Sequence, residues 1–331
     1  MPSWPTGSAG AALDHLLDAA FDTSGPLAET NAVVVIQGGR LVAERYGGVD
    51  PRDRDMAVVP DTTLLSWSMA KSMLHSVVGM LVGDGRLHLE APAPVPEWAE
   101  PGDPRGEITL EQLLEMRDGL QFTEDYVDRG VSDVMEMLWG IGSDDVAAYA
   151  ANHRLAHPPG STFHYSSGTS NIISGVVARE LGPGEPYRRF LADRLFGPIG
   201  ATSAVADFDA AGTWVASSTL HATARDFARF GLLYLRDGIW EGRRLLPVGW
   251  VDHGRLARSV DPDDGAVHGA HWWVVGDDHG SFWASGYSGQ SILLCPALDL
   301  IVVRLGDTPS ERSAELLRWK ADVVAAFARS S

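Results

Sequence analysis

Two residues at the start of an apolar stretch have the types and spacing needed for nucleophilic catalysis. Ser68 and Lys71 are three positions apart in the segment Ser66-Trp67-Ser68-Met69-Ala70-Lys71-Ser72, so a helix would place both side chains on one face. The residues up to Val82 are nearly all apolar, which predicts a buried helix over 68–83. A desolvated lysine has a lowered pKa, and its neutral amine could take the proton of the serine hydroxyl.

The same pair has a plainer interpretation. Ser68 could cap the helix, and Lys71 could extend its ammonium group to solvent, because Ser-x-x-Lys occurs by chance in many proteins. The composition favours chemistry: of the 26 Lys and Arg residues only two are lysines, Lys71 and Lys320. Arginine stays charged, whereas a buried lysine can lose its proton. Lys320 has no reactive residue near it in sequence and is predicted to be an ordinary surface residue.

Two further segments could complete such a site. Tyr165 ends a turn-rich loop that begins at Pro158-Pro159-Gly160 and leads into a helix, a setting that fixes a functional side chain at the edge of a scaffold. The segment Trp283-Ala284-Ser285-Gly286 ends a strand, and its small residues would let a substrate lie along the strand edge. The plainer alternative for Tyr165 is a side chain packed on the surface, and that for the second segment is a tight hairpin turn.

The hydrophobic periodicity predicts strands at both ends of the chain and helices between them. The predicted strands are 32–37, 41–46, 272–276, 281–285, 291–294 and 300–305, with a Gly38-Gly39 turn between the first two. The predicted helices are 9–22, 68–83, 109–116, 131–138, 143–152, 168–181, 186–195, 221–236 and 310–329. This order predicts an α/β (α+β) fold, with an antiparallel sheet built from both chain termini, flanking helices and a mainly helical middle subdomain. We expect one catalytic domain over residues 1–331, with an α/β subdomain at about 1–60 plus 237–331 and a helical subdomain at about 61–236.

The composition excludes several function classes. The 331 residues carry a formal net charge of −18, which disfavours nucleic acids and anionic membranes as partners. The start of the chain does not resemble a signal peptide, and Cys295 is a lone cysteine that we expect in the core, so a reducing, cytoplasmic location is expected. We find no phosphate-binding loop, dinucleotide fingerprint or zinc motif, so neither a cofactor nor a metal is expected. The expected partner is a small-molecule substrate, and a homodimer stays open.

Taken together, the motifs resemble those of the penicillin-recognising serine hydrolases. The residues that carry the resemblance are Ser68-x-x-Lys71, Tyr165 and the Ser285-Gly286 strand, in that order, supported by the stretches 108–120 and 217–226. This superfamily includes class C β-lactamases, D-alanyl-D-alanine peptidases, esterases and 6-aminohexanoate-dimer hydrolases. The resemblance covers about residues 30–305 and implies a β-lactamase/transpeptidase-like fold.

The resemblance also implies roles. Ser68 would be the acylated nucleophile, Lys71 would take its proton, and Tyr165 would protonate the leaving group and later activate the deacylating water. The backbone N–H groups of Ser68 and Tyr287 would form the oxyanion hole. Whether Lys71 or Tyr165 is the first base stays open, so the two are treated as a coupled pair.

Two departures from the family pattern narrow the substrate class. The usual Tyr-x-Asn is Tyr165-Ser166-Ser167, and the usual Lys-Thr-Gly or His-Thr-Gly is Ala284-Ser285-Gly286. In the β-lactam enzymes the basic residue holds a substrate carboxylate, and losing such a bond costs about 1.5–3 kcal/mol. The sequence therefore favours an ester or a linear amide as the substrate, and a β-lactam or a D-alanyl-D-alanine peptide is the alternative. A further alternative is that the protein is a binding module without catalytic activity.

The stretch 116–126 looks most like the 6-aminohexanoate-dimer hydrolase branch of the superfamily. On this basis, Asp125 could pair with a substrate amine and Tyr126 could contact the substrate. His75 is expected in the core or behind the site rather than in catalysis. The full set of expected substrate-binding residues is Ser167, Ser285, Gly286, Asp125, Tyr126 and Trp273.

Overall fold

The computed structural model describes residues 4–8, 10–128 and 130–328. Its strands are β1 (Glu29–Gln37), β2 (Arg40–Tyr46), β3 (Val49–Asp50), β4 (Asp53–Ala57), β5 (Leu64–Leu65), β6 (Val205–Ala206), β7 (Leu220–Ala222), β8 (Ile239–Trp240), β9 (Arg243–Arg244), β10 (Ser259–Val260), β11 (Val267–His268), β12 (Trp273–Val274), β13 (Phe282–Gly286), β14 (Gln290–Cys295) and β15 (Leu300–Asp307). Its α-helices are α1 (Ala11–Ala20), α2 (Met69–Gly83), α3 (Leu110–Leu114), α4 (Asp133–Trp139), α5 (Val146–Ala151), α6 (Ser167–Leu181), α7 (Glu185–Phe190), α8 (Ala224–Leu235), α9 (Trp250–Arg255) and α10 (Ser313–Ala328).

An eight-stranded antiparallel sheet joins the two ends of the chain, as the sequence predicts. Its strand order is β10-β11-β12-β13-β14-β15-β1-β2, so β1 lies between β15 and β2. The Gly38-Gly39 turn is confirmed: both residues have positive φ, 57° and 69°, which suits a two-residue hairpin turn.

The sheet is covered on both faces, which explains why residues 33–36 in the centre of β1 are all buried and β-branched. Val34 and Ile36 belong to one apolar cluster, which also contains the buried residues of α2 and α8. Val33 and Val35 face the other way, into a cluster formed with α1 and α10. The expected layers of helices on a terminal sheet are therefore present.

The predicted helices are found with shifted ends, and one of them is partly wrong. The stretch 221–236 begins as strand β7, and the helix α8 starts only after Thr223, whose hydroxyl caps it by accepting a hydrogen bond from the Asp226 N–H at 3.2 Å. Strands β10 and β11 were not predicted, because two residues are too few to show a period. Ala9 and Arg329, at the ends of two predicted helices, lie outside the described residues.

Two single-residue expectations have opposite outcomes. Cys295 is buried in β14, as predicted. Lys320 is not a surface residue: only 5% of it is exposed, because α10 turns this side chain toward the sheet. Among the described residues, no helix is both long enough and apolar enough to span a membrane.

Candidate active site

Ser68 and Lys71 lie at the start of α2 and are in direct contact. Lys71 Nζ donates a hydrogen bond to Ser68 Oγ over 3.0 Å. Ser68 occupies the N-cap position, but its side chain makes no capping hydrogen bond. Lys71 is 3% exposed and does not reach solvent. The structure thus disfavours the plainer interpretation of this pair as a helix cap and a solvated lysine.

The other contacts of Lys71 direct its lone pair. Its Nζ also donates to Ser167 Oγ over 3.0 Å and to the Ser217 carbonyl over 2.8 Å, so all three N–H groups of the ammonium form are used. A neutral amine has two N–H groups. If these stay on Ser167 and Ser217, the lone pair points toward Ser68 Oγ. Burial lowers the pKa of Lys71 to about 8, and the negative charge of Glu124 opposes this shift.

Glu124 is a site residue that the sequence analysis missed. It accepts hydrogen bonds from the Ser167 hydroxyl over 2.5 Å and from the Ser167 backbone N–H over 2.8 Å. Because the proton of Ser167 is directed to Glu124, Ser167 Oγ must act as an acceptor toward Lys71. Glu124 therefore fixes the direction of the Lys71–Ser167 hydrogen bond. Ser167, which was expected to bind substrate, instead contacts the base.

The position of Lys71 also depends on β7, the short strand that the sequence predicts as the start of a helix. Strand β7 pairs with β5, directly before the nucleophile, through Leu64–Ala222 and Leu65–His221. The Ser66 N–H donates to the Leu220 carbonyl over 2.8 Å. This pairing holds the segment before β7 against the start of α2, where the Ser217 carbonyl meets Lys71.

The ring of Tyr165 lies next to the Lys71 amine. The Lys71 Nζ is 4.9 Å from the centroid of its ring. Burial and the nearby Glu124 raise the pKa of Tyr165 above its ordinary value, and a hydrogen-bonding interaction with Ser68 opposes this shift. The phenol is therefore protonated at neutral pH, when it can donate a proton but not accept one.

The end of β13 packs directly on the nucleophile turn. A side chain at Gly286 would collide with the Ser66 carbonyl oxygen, so glycine is required for this close approach. The next residue along the chain is Tyr287, which begins the short turn after β13. Trp67, immediately before Ser68, has φ of 48°, a strained value for a bulky residue.

An aromatic cluster stands beside the nucleophile turn. Trp67 has its ring centroid 6.1 Å from Tyr126, 6.4 Å from Trp139 and 5.3 Å from Tyr287. Tyr126 and Tyr287 are 4.9 Å apart. Tyr126 was selected from the sequence, whereas Trp67 and Trp139 were not, although Trp67 adjoins Ser68. These rings can pack on apolar parts of a substrate.

The remaining expected substrate contacts are placed as follows. Trp273 packs on Tyr165, with ring centroids 5.5 Å apart, and its neighbour Trp272 is buried in the core. Trp273, Ser285 and Gly286 all line a groove of about 670 Å³. Asp125 directs its carboxylate to its own loop, accepting from Val127 N–H over 2.7 Å and Asp128 N–H over 3.2 Å.

Ala284 and His75, neither of which is expected to take part in catalysis, are both buried. Ala284 is fully buried within β13, so the site has no cation at this position. His75 is buried within α2 and contacts the Tyr234 hydroxyl through Nδ1 over 2.8 Å and His253 Nδ1 through Nε2 over 3.0 Å. Neither contact involves Ser68 or Lys71.

The chain matches a known family over most of its length. The family model described as Beta-lactamase matches residues 27–326. A curated relative, the 6-aminohexanoate-dimer hydrolase of Paenarthrobacter ureafaciens, is 28% identical over an alignment of 300 residues, and the match covers 85% of this chain and 73% of the relative.

Solved structures share the fold. One from Bacillus anthracis, provisionally assigned as a 6-aminohexanoate-dimer hydrolase, superposes with a TM-score of 0.82 at 21% identity and covers 99% of this chain and 89% of that chain. A family VIII carboxylesterase superposes with a TM-score of 0.72 at 18% identity and covers 95% of this chain and 98% of that chain. The predicted β-lactamase-like fold is therefore confirmed.

Proposed function

We propose that this chain, which belongs to the beta-lactamase family, is a serine hydrolase that cleaves an ester or a linear amide through an acyl-Ser68 intermediate. The observation that carries the proposal is the 3.0 Å contact between Ser68 Oγ and the buried Lys71 amine. A lysine with a pKa of about 8 is partly neutral near physiological pH and can act as a general base.

In this proposal Lys71 is the first base and Tyr165 is the general acid. The neutral amine takes the proton of Ser68 as Oγ attacks the substrate carbonyl carbon. The protonated Tyr165 then gives its proton to the leaving alcohol or amine and recovers one from Lys71. The opposite directions of the two pKa shifts support this division, because they leave the amine able to accept and the phenol able to donate.

The backbone N–H groups of Ser68 and Tyr287 would stabilise the oxyanion that forms in each half-reaction. The close packing of Gly286 on Ser66 supports this role, because it sets the two backbone segments side by side. Water would then attack the acyl carbonyl carbon from the side of Tyr165 and give a proton to the neutral Lys71 amine, and Lys71 would pass that proton to Ser68 Oγ as the acid is released.

The substrate class follows from what surrounds the site. The buried Ala284 supplies no cation for the carboxylate of a β-lactam or of a D-alanyl-D-alanine peptide, and the aromatic cluster offers apolar contact area. A relative with 28% identity is a 6-aminohexanoate-dimer hydrolase, which supports a linear amide as one substrate. A 6-aminohexanoate amide and a short-chain ester are therefore the first compounds to test.

A substrate panel tests this proposal. We expect hydrolysis of a short-chain p-nitrophenyl ester or of the 6-aminohexanoate dimer, and weaker turnover of nitrocefin and of D-alanyl-D-alanine peptides. The activity should be lost in Ser68→Ala and retained in Ser24→Ala, a matched change at an exposed serine. A protein that only binds ligands would show no turnover of any compound, and preferred turnover of nitrocefin would identify a β-lactamase instead.

A further inference from the structure

A second cavity lies between the sheet and the C-terminal helix α10. Its volume is about 890 Å³, within the range of pockets that hold small organic ligands. The wall is mostly apolar and includes Val274, Trp283, Leu293, Leu317 and Val324. An apolar chain would therefore be buried well in this cavity.

The cavity contains one of the two lysines of the chain. Lys320 lines it and is 5% exposed, with Nζ 3.6 Å from the centroid of the Trp283 ring. Within the described part of the chain, the charged group that acts on Lys320 is Arg304, which is also a cation, and no carboxylate pairs with it. A buried amine without a counter-ion costs free energy, so an anion that entered the cavity would be stabilised by Lys320.

The cavity is continuous with the groove beside the active site. Trp273, Trp283 and Lys320 line both, and the groove goes on to Ser285 and Gly286 at the end of β13. Lys320 can therefore be reached from the strand that packs on the nucleophile turn. Lys320, which lines the same groove, could therefore supply to an anionic ligand the cation that is missing at Ala284.

We propose that this cavity binds an aliphatic carboxylic acid, with the carboxylate on Lys320 Nζ and the chain against Trp283 and the apolar wall. The carboxylate can belong to a free acid or to the far end of a substrate, and the experiments below separate these two sources. Only the second source rests on the proposed hydrolase function.

Binding should be coupled to uptake of a proton. Burial, with a smaller contribution from Arg304, lowers the pKa of Lys320 well below its ordinary value. The amine of the free protein therefore loses its proton more readily than a solvated lysine does, and pairing with a carboxylate favours its return to the protonated form. The other titratable groups that line the cavity or the groove are Asp277, His279, Asp264, Tyr287, Asp307 and Glu311.

The first experiment measures octanoate binding to the full chain carrying Ser68→Ala, by titration calorimetry at pH 8. We expect octanoate to bind at least tenfold more tightly than octanol, and Lys320→Met to lose that preference. Arg318→Met, which removes an exposed cation from the same helix, should bind octanoate unchanged. Absence of octanoate binding, equal binding of octanol, or full retention of octanoate affinity in Lys320→Met would overturn the proposal.

A second readout does not depend on the folding of any Lys320 variant. In buffers of different ionisation enthalpy, octanoate binding should be accompanied by proton uptake between pH 7 and pH 9. No proton uptake at any of these pH values would contradict pairing with an amine that has lost its proton in the free protein. We expect Lys320→Met to fold, since a methionine of similar length replaces a desolvated amine, and its melting temperature should equal or exceed that of the parent protein.

The last comparison identifies the source of the carboxylate. If the carboxylate belongs to the substrate, Lys320→Met should lower kcat/KM at least tenfold for the mono-p-nitrophenyl ester of octanedioic acid. The kcat/KM for p-nitrophenyl octanoate, which has no free carboxylate, should then stay within twofold of that of the unaltered protein. If the ligand is a free acid, both esters should respond alike while octanoate binding is still lost. Failure of the hydrolase proposal would abolish both hydrolyses in the unaltered chain and leave the calorimetric result intact.

Discussion

Replacing Lys71 by arginine should lower kcat/KM for the best substrate of the panel by about 10³-fold, although the formal charge is conserved. Arginine cannot give up its proton near neutral pH, so it cannot accept the proton of Ser68. The two contacts that Lys71 makes with Ser167 and Ser217 are also set for an amine rather than for a planar guanidinium. Steady-state kinetics at pH 8 measure the effect.

A folding defect would produce the same loss, so a neutral variant is needed beside it. Lys71→Met removes the charge and the base together, and it should be as inactive as Lys71→Arg. Melting curves and circular dichroism establish whether both variants are folded. If Lys71→Arg kept activity within tenfold of the unaltered protein, Lys71 would supply only a positive charge, and the proposed base would be wrong.

Glu124→Gln should lower kcat/KM by about 10- to 100-fold, the effect of one hydrogen bond to a charged group. The glutamine amide can donate to Ser167 Oγ, which frees the Ser167 proton to bond with the lone pair of Lys71. The amine would then be turned away from Ser68. Glu124 acts through Ser167 and Lys71, so it is a positioning residue.

The pH profile separates this role from a general loss of structure. Because the neutral amine is the active form, kcat/KM should rise with pH through a midpoint near 8. The charge of Glu124 raises the pKa of Lys71, so its removal should move the midpoint to lower pH. Glu180→Gln, which changes a surface carboxylate paired with Arg86, should alter neither kcat/KM nor the midpoint of its pH profile. A midpoint in Glu124→Gln that is unchanged or higher would contradict the assigned role.

The sequence predicts the sheet and most helices because their apolar residues repeat with a clear period. The centre of β1, residues 33–36, is an unbroken β-branched run, and α2 is apolar on nearly every side. The Ser68–Lys71 contact could also be predicted, since a helix brings residues three positions apart together. Tyr165 could be assigned to the site only from the order of three motifs along the chain, because its loop has no hydrophobic period of its own.

The remaining parts of the site depend on contacts that no local pattern encodes. Glu124 and Asp125 are adjacent acids in one loop. Only the fold shows that Glu124 accepts hydrogen bonds from Ser167, whereas Asp125 accepts them from backbone N–H groups of its own loop. Strand β7 has three residues and directly precedes a long helix, so the sequence pattern predicts a single helix that starts at residue 221. Lys320 resembles a surface lysine in sequence, and its burial follows from how α10 lies on the sheet.

The central claim is that Ser68 becomes acylated during turnover. Its most direct test is intact-mass spectrometry after treatment with a fluorophosphonate, followed by peptide mapping. We predict one adduct per chain on Ser68, loss of hydrolysis in proportion to labelling, and no adduct in Ser68→Ala. Hydrolysis that continues in the fully labelled protein, or an adduct that persists in Ser68→Ala, would show that another residue is the nucleophile.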